Sequence, residues 1–554
     1  MTEREAEKVR IEDVEALVGA LDEVVRAAVE SASRRTQGGK DIDSWQVHSE
    51  RVAYAATEVL AAKSMVEYAK ATAAAGVDAS LFIDQAAVYA GETAAKLCGQ
   101  LTAAAGDFDL PAGLYERTLA TDASLAKIRS FASEDRVRAI GRSVAAQRGI
   151  HNAWLPEDDV VMVRDSVRAF AQKEVAPLAE SIHRHDELVP DSLIRSMAEM
   201  GYFGMSAPEE YGGLGMGNLA MIVTTEELSR VSLAAAGSLI TRPEILTKAL
   251  LKGGTEAQKQ KWLTPVGAGE LMVGISVTEP NTGSDVASVA CRAEAAEVGG
   301  RQGYLINGPK AWCTFAGRAN VLALLARTNP DPKTGARGLS LFIVEKDPFY
   351  GHEFEMKQAT GGTLHGKADA TPGYRGMHSY TLAFENYFVP AENLIGEESG
   401  LNKGFYLQMN GFAAGRLQTG GRAAGLAQAA LEAAAGYAVD RKQFGSPLID
   451  FQLTQYKLGR MATYTQVARQ ITYSAARLMD ADESISLEPA MAKLLACDVA
   501  VAVTQEGQLI HGGWGYAEEY PISRYVVDAT VLPIFEGVKP VLELKVIARQ
   551  LLAG

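Results

Sequence analysis

Apolar residues recur at three- and four-residue spacing in "EALVGALDEVVRAAVESA" and "HSERVAYAATEVLAAKSMVEYAKATAAAG". This spacing predicts long amphipathic helices over residues 1–150. Breaks fall at "RTQGGKD" and "AGDFDLPAG", so the segment reads as a helical bundle of its own. Residues 151–270 repeat the helical pattern, in "DDVVMVRDSVRAFAQKEVAPLAE" and "LAMIVTTEELSRVS". The period then changes. From 271 to 395 the chain shows short runs such as "LMVGISVTE", "NVLALLART" and "YTLAFENYFVP". These are rich in β-branched and aromatic residues and are separated by Gly, Asn and Pro, which predicts a small all-β domain. Residues 396–554 return to long helices joined by short loops, and their wide apolar faces suit a bundle shared with neighbouring subunits. The expected fold class is α+β multidomain, in the order helical, helical, β, helical.

The chain has 554 residues, 47% of them hydrophobic, enough for several packed domains. A net charge of −14 argues against general nucleic-acid binding and against docking on anionic membranes. No run of about 18 apolar residues predicts a membrane span, and the charged N-terminus argues against a secretory signal. Cys98, Cys291, Cys313 and Cys497 are scattered, without CxxC spacing. They predict a reducing, cytoplasmic setting with neither a disulfide frame nor a metal site. "HRH" at 183–185 has poor ligand spacing and reads as a solvated helix end. "PEEYGGLGMG" lacks the G-x-G-x-x-G spacing and a preceding strand, so it reads as a turn between helices.

Four stretches stand out: "VTEPNTGSDVAS" (277–288), "NGPKAWCTFAGRAN" (307–320), "DRKQFGSPLIDFQ" (440–452) and "HGGWGYAEEYPISRYVVDATVLPIFEG" (511–537). Thr278 and Ser284 offer hydroxyls beside a tight turn. Such a turn can hold a polar ring edge or a phosphate, or can simply close a hairpin. Trp312 is either a core residue or a flat surface for a ring, and Thr314 can donate to a ring nitrogen. Arg441 suits a pyrophosphate through its planar fork, with Phe444 beside it. Gly512 and Gly513 permit close backbone approach. Glu536 follows an apolar run, between Pro533 and Gly537. In isolation it reads as a solvated acid at a helix start.

In this order and at these separations the four motifs resemble the acyl-CoA dehydrogenase family, over roughly residues 155–554. The resemblance implies a helical domain, a β-barrel-like domain and a C-terminal helical bundle, preceded here by an extra N-terminal bundle. It implies FAD lying between the β domain and the last bundle, in a homodimer or tetramer whose neighbour covers part of the cofactor. Val277, Thr278, Ser284, Trp312 and Thr314 match flavin contacts, with Ser284 also near the substrate. Arg441, Phe444 and Gln452 match the stretch that reaches the neighbour's FAD, and Gly512 and Gly513 match the adenine side. Three departures stand out. Gln443 replaces a common Thr. Leu509 stands where a Gln is usual, with Gln508 one place off. Val538 replaces a Thr.

Glu536 matches the family's catalytic base. A thioester α-proton is weakly acidic, so the base should sit in a dry pocket whose burial and apolar walls favour proton capture. The β-hydrogen leaves as hydride to the flavin, and Gly537 lets the chain pass close to the thioester. Some members place the base just before an Arg of the preceding helix. Gly415 occupies that position here, and Arg416 matches an Arg near base and substrate. Overall length and "ATGGTLHGKADATPGYRGMHSYTLAFENYFVP" resemble the branch that acts on a short branched dicarboxylic thioester, methylsuccinyl-CoA. Its free carboxylate needs a cation or several donors. Arg242 is the first candidate, with a surface helix-turn Arg as the alternative, and Tyr374, Arg375 and His378 are further options. An electron-transfer flavoprotein is the expected acceptor. An acyl-CoA oxidase or a dehydrogenase of another short or branched thioester is the competing expectation, and a scaffold with a dead flavin site lies further off.

Overall fold

The computed structural model describes residues 8–150, 153–483 and 486–554. The chain divides into two compact units, one of residues up to Asp158 with Thr419–Gly554, the other of Asp159–Gln418. The N-terminal helices therefore do not form a bundle apart: they share one unit with the C-terminal helices. The helix Gly404–Asp440 begins in one unit and ends in the other.

In the first unit, helix Ile11–Arg35 buries Val14, Leu17, Val18, Leu21, Val24, Val25, Ala28 and Ala32. These are the i, i+3, i+4, i+7 positions of one face. Its first turn is acidic and its last basic, which complements the helix dipole. Helix Gln46–Ala74 is buried on several sides, because it packs against Ile11–Arg35, Ser80–Ala103, Gln452–Asp480 and the π-helical segment Leu542–Ala548. Its small residues explain how so many neighbours fit. The join is tightest where Glu134–Ala146 crosses Gln452–Asp480. A Cβ at Gly141 would lie 1.9 Å from the Gln455 carbonyl oxygen, and one at Gly459 would lie 1.9 Å from that of Val137. Only glycine lets the two backbones meet this closely. The Gln455 side chain fastens the crossing by accepting from Arg138 Nε and Arg142 Nη1, both at 3.2 Å.

The second unit begins with helices, among them Asp191–Glu199, Gly217–Val231, Thr241–Gly253 and Glu256–Gly267. Eight strands follow: β1 (Val273–Ser276), β2 (Arg292–Val298), β3 (Arg301–Thr314), β4 (Val321–Arg327), β5 (Leu339–Glu345), β6 (Glu353–Lys357), β7 (Thr363–Ala368) and β8 (Ser379–Pro390). They form one curled sheet in the order β1-β4-β2-β3-β8-β7-β6, with β5 on β4. Every residue of β4 is buried. Leu322, Leu324 and Ala326 join one core with Phe342, Leu364 and Leu382. Val321, Ala323 and Leu325 face a second core with Leu246, Leu250, Trp262 and Leu263 of the helices. A strand covered on both faces needs the unbroken apolar run that "VLALLA" supplies.

The Gly-rich loop is a turn. Gly212 has φ 78°, and the amides of Gly213, Leu214 and Gly215 all donate to carbonyls of the same loop region. They are spent internally and do not form an anion cradle. His183 is buried, against the solvated helix end expected of "HRH". Among the described residues no helix is long and apolar enough to cross a membrane.

Candidate active site

Glu536 sits in the segment that joins helix Ile522–Ala529 to the turn starting at Lys539. Its φ is 54° and that of Gly537 is 100°, so two successive residues are left-handed, at a cost of about 1–2 kcal/mol for the glutamate. The surrounding contacts impose that conformation. The Lys539 amide donates to the Pro533 carbonyl at 2.9 Å and closes the loop. Helix Leu487–His511 holds it from the side: Lys493 Nζ donates to the Gly537 carbonyl at 2.5 Å, and Cys497 Sγ to that of Leu532 at 3.4 Å.

The carboxylate is enclosed, its side chain 8% exposed. It accepts from Arg422 Nη2 at 2.9 Å and from Thr419 Oγ1 at 3.2 Å. Thr419 and Arg422 lie one turn apart on the Gly404–Asp440 helix. Arg422 is completely buried, and its guanidinium lies 4.7 Å from the Phe535 ring. The wall around this acid therefore includes a buried ion pair beside the Phe535 ring. The pair compensates the charge on the carboxylate and fixes its direction. The alternative position for a base, Gly415, has no side chain to serve. Arg416, one residue on, is 8% exposed.

The first two motifs lie in the second unit. Val277 is buried, and its carbonyl accepts from Lys310 Nζ at 2.9 Å. The same ammonium pairs with Glu279 at 3.0 Å, and Glu279 also accepts from the amides of Ala290 and Cys291. Glu279 and Thr282 close the turn with two backbone bonds. This buried pin fixes Thr278, half-buried, and Ser284, exposed. On β3 the register against β8 slips between Lys310 and Cys313. Ala311 and Cys313 are buried, yet Trp312 between them has φ 57° and is 60% exposed. The bulge turns the indole out of the core, against the core reading of this Trp. Thr314 Oγ1 shares a hydrogen bond with Ser379 Oγ at 2.9 Å.

The last two motifs lie in the first unit. Arg441 and Gln452 are exposed. Phe444, at the tip of the two-stranded turn formed by Lys442–Gln443 and Ser446–Pro447, has φ 52° and is 97% exposed. Gly512, with φ 61°, ends helix Leu487–His511. No atom lies within 4 Å of a Cβ built on Gly512 or Gly513. Gln508 Nε2 donates to the Gly515 carbonyl at 3.1 Å, so it shapes this turn, and Leu509 is 70% exposed.

Arg242 is not a surface residue: it is 5% exposed, in helix Thr241–Gly253. It donates to the Ser238 carbonyl at 3.2 Å and to the Tyr374 hydroxyl at 3.0 Å. Both partners are neutral, and among the described residues no carboxylate pairs with it. The other two options turn elsewhere. Arg375 donates to the carbonyls of Thr371 and His183, at 3.2 Å each, and His378 Nε2 lies 3.2 Å from Asp186. Asp186, His352 and His378 bring their ligand-type atoms within 4.8 Å of one another. Arg375, 3.7 Å from Asp186, already brings a positive charge to that group.

The four cysteines are free. Burial pushes the thiols of Cys313 and Cys497 up to about 12 and that of Cys291 up to about 11, so none of these three offers a thiolate near neutrality. Sequence reasoning missed Arg422, Thr419, Lys493 and Lys310. The first and third carry a usable signal: single cations in "TGGRAAGLAQAA" and "AMAKLLACDVA", where a stretch of mostly small and apolar residues calls for a buried partner.

Family models for the N-terminal, middle and C-terminal domains of acyl-CoA dehydrogenases match residues 157–270, 274–387 and 402–552. The (2S)-methylsuccinyl-CoA dehydrogenase of Cereibacter sphaeroides is 44% identical over 397 residues, 72% of this chain and 70% of that protein. The structure of butyryl-CoA dehydrogenase from Megasphaera elsdenii is similar with TM-score 0.65 and 31% identity, over 71% of this chain and 98% of that one. A structure of the electron transferring flavoprotein of Acidaminococcus fermentans is similar with TM-score 0.63 and 33% identity, over 71% of this chain and 97% of that one. The chain belongs to the acyl-CoA dehydrogenase family, flavoproteins that oxidise the CH–CH bond of CoA thioesters.

Proposed function

We propose that the chain dehydrogenates a short branched dicarboxylic CoA thioester, (2S)-methylsuccinyl-CoA, to mesaconyl-CoA, with Glu536 as the base. The observation that carries the chemistry is the Glu536 carboxylate, oriented by Arg422 and Thr419 on a loop closed at Pro533 and Lys539. Glu536 takes the α-proton and becomes the neutral acid. Arg422 and Thr419 aim the acceptor oxygens before substrate arrives, so the transfer needs little reorganisation. Gly537, with no Cβ, leaves room for the thioester beside the base.

The residues present suit FAD. Trp312 offers an exposed ring face, Thr278, Ser284 and Thr314 offer hydroxyls, and Val277 anchors their turn. Arg441, Phe444, Gln452, Gly512 and Gly513 form an exposed set suited to the pyrophosphate and adenine of a second subunit's cofactor, which makes the chain a homo-oligomer. Bound flavin supplies the acceptor for the β-hydrogen and its electron pair. An electron-transfer flavoprotein then accepts those electrons, a reading supported by the likeness to the Acidaminococcus fermentans structure.

Arg242 supports the dicarboxylic substrate. A buried guanidinium with only neutral partners is a strong receiver for a carboxylate, and Tyr374 adds a hydroxyl beside it. A second support is length. Nearly a third of the Cereibacter sphaeroides relative lies outside the match, as does nearly a third of this chain. The test is a panel of CoA thioesters with an artificial electron acceptor. Methylsuccinyl-CoA should be preferred. Arg242→Met should lower kcat/KM for it about 100-fold, the loss of a charge-assisted hydrogen-bond pair, and should spare butyryl-CoA. A wild-type preference for butyryl-CoA would refute the assignment, and reoxidation in air as fast as turnover would identify an oxidase.

A further inference from the structure

The N-terminal helices lie outside the matched family domains, and one of them reaches the loop that carries Glu536. Tyr54, on helix Gln46–Ala74, donates its hydroxyl to Asp498 Oδ2 at 2.7 Å. The same oxygen accepts from Lys539 Nζ at 2.6 Å. Lys539 closes the Glu536 loop, since its amide bonds Pro533. Asp498 belongs to the same stretch of helix Leu487–His511 as Lys493 and Cys497, which hold the Gly537 and Leu532 carbonyls. The site is built on both sides of Asp498. The Lys539 ammonium lies 5.1 Å from the Tyr54 ring centroid, and Lys96, paired with Glu58 at 2.8 Å, lies 4.5 Å from it. Glu543, 3.9 Å from Lys539, adds a second carboxylate.

We propose that the N-terminal helices brace the catalytic loop, with Tyr54, Asp498 and Lys539 as positioning residues that hold Glu536 in its left-handed conformation. The inference rests on Glu536 being the base. A loop with two consecutive left-handed residues relaxes unless its ends are restrained. Lys493 and Cys497 restrain its carbonyls from helix Leu487–His511. The Tyr54–Asp498–Lys539 chain restrains its exit and ties that restraint to helix Gln46–Ala74. A displacement of about 1 Å at a reacting group costs up to about 100-fold in rate, so a weak brace is visible in kcat.

Amide hydrogen exchange on the full chain, with and without FAD, reads the loop directly, and steady-state kinetics read its consequence. Tyr54→Phe removes one hydroxyl and should speed exchange over residues 531–541 several-fold. It should lower kcat about fivefold while KM for the thioester stays within twofold. Lys539→Met should do more of both, and Lys539→Arg should restore most of each. Lys70→Met, which breaks the Lys70–Glu15 pair between two N-terminal helices, should change neither. Wild-type exchange and kcat in both Tyr54→Phe and Lys539→Met would overturn the brace. A proportional rise in KM without loss of kcat would overturn it too, because that pattern marks a binding defect. The two readings separate cleanly. If Glu536→Gln keeps turnover while Tyr54→Phe still loosens the loop, the base assignment fails and the restraint stands. If Glu536→Gln abolishes turnover while the loop is unchanged in Tyr54→Phe, the brace fails alone.

Discussion

Glu536 and Trp312 share nearly the same positive φ, 54° and 57°, in opposite settings. Glu536 turns inward, its side chain 8% exposed and bound by Arg422 and Thr419. Trp312 turns outward, 60% exposed, on a strand whose flanking residues are buried. Both are non-glycine residues in a region most L-residues avoid, so neighbouring contacts must compensate a cost of about 1–2 kcal/mol at each. For Glu536 the compensation is an ion pair and three backbone tethers. For Trp312 it is the continuation of β3 on both sides of a bulge, with Thr314 bonded to Ser379. A positive φ thus accompanies one side chain that is enclosed and paired and another that stands exposed.

The contrast breaks most severely at Arg422. Arg422→Met leaves a buried carboxylate without its counter-charge, which costs about 3–5 kcal/mol. The expected outcome is a Tm lowered by several degrees and at least 100-fold lower kcat, read by calorimetry and dye-coupled turnover. An active variant of normal stability would show that the pair is incidental. Trp312→Ala tests the other side. It should leave the fold intact, because the ring is mostly exposed, and weaken FAD retention by about tenfold, the worth of one stacked aromatic face. Fluorescence titration of apoprotein with FAD measures it. A large drop in Tm with unchanged FAD affinity would return Trp312 to a core role.

The smallest expected effect concerns the loop's far end. Burial pushes the Glu543 carboxyl up to about 7, with the ammonium of Lys539 opposing and Glu50 and Asp498 adding to the rise. Its value in the unfolded chain is near 4.5. The unfolded state therefore loses this proton first as pH rises. The group's contribution to stability is fully present below about 4.5 and falls away up to about 7. Glu543→Gln should raise Tm at pH 8 by about 2–4 °C and change little at pH 4.5. An equal shift at both pH values would assign the effect to packing.

Much of this was legible in the residue order. The switch from period 3.6 to short β-branched runs marked the β region, and four motifs in series carried the family. Trp312 reads ambiguously because a strand Trp is usually core; its exposure goes with the slip of register between Lys310 and Cys313, and pairing register is a long-range property. The expectation of apolar walls around Glu536 follows from what proton capture needs, and nothing in the residue order names its actual partners. Its partners come from Thr419 and Arg422, more than a hundred residues earlier. By sequence the N-terminal helices read as a bundle apart, since Gly141 and Gly459 are ordinary helical glycines until their two backbones are seen to touch.

In the proposed function Glu536, oriented by its ion pair, removes the α-proton of the thioester. Anaerobic mixing of FAD-loaded Glu536→Gln with methylsuccinyl-CoA, followed by flavin absorbance, tests it most directly. The variant should keep full FAD content and thioester binding, with bleaching slowed by at least about 1,000-fold, roughly 4 kcal/mol of transition-state stabilisation. Bleaching of the variant at the wild-type rate would contradict it and place the base elsewhere.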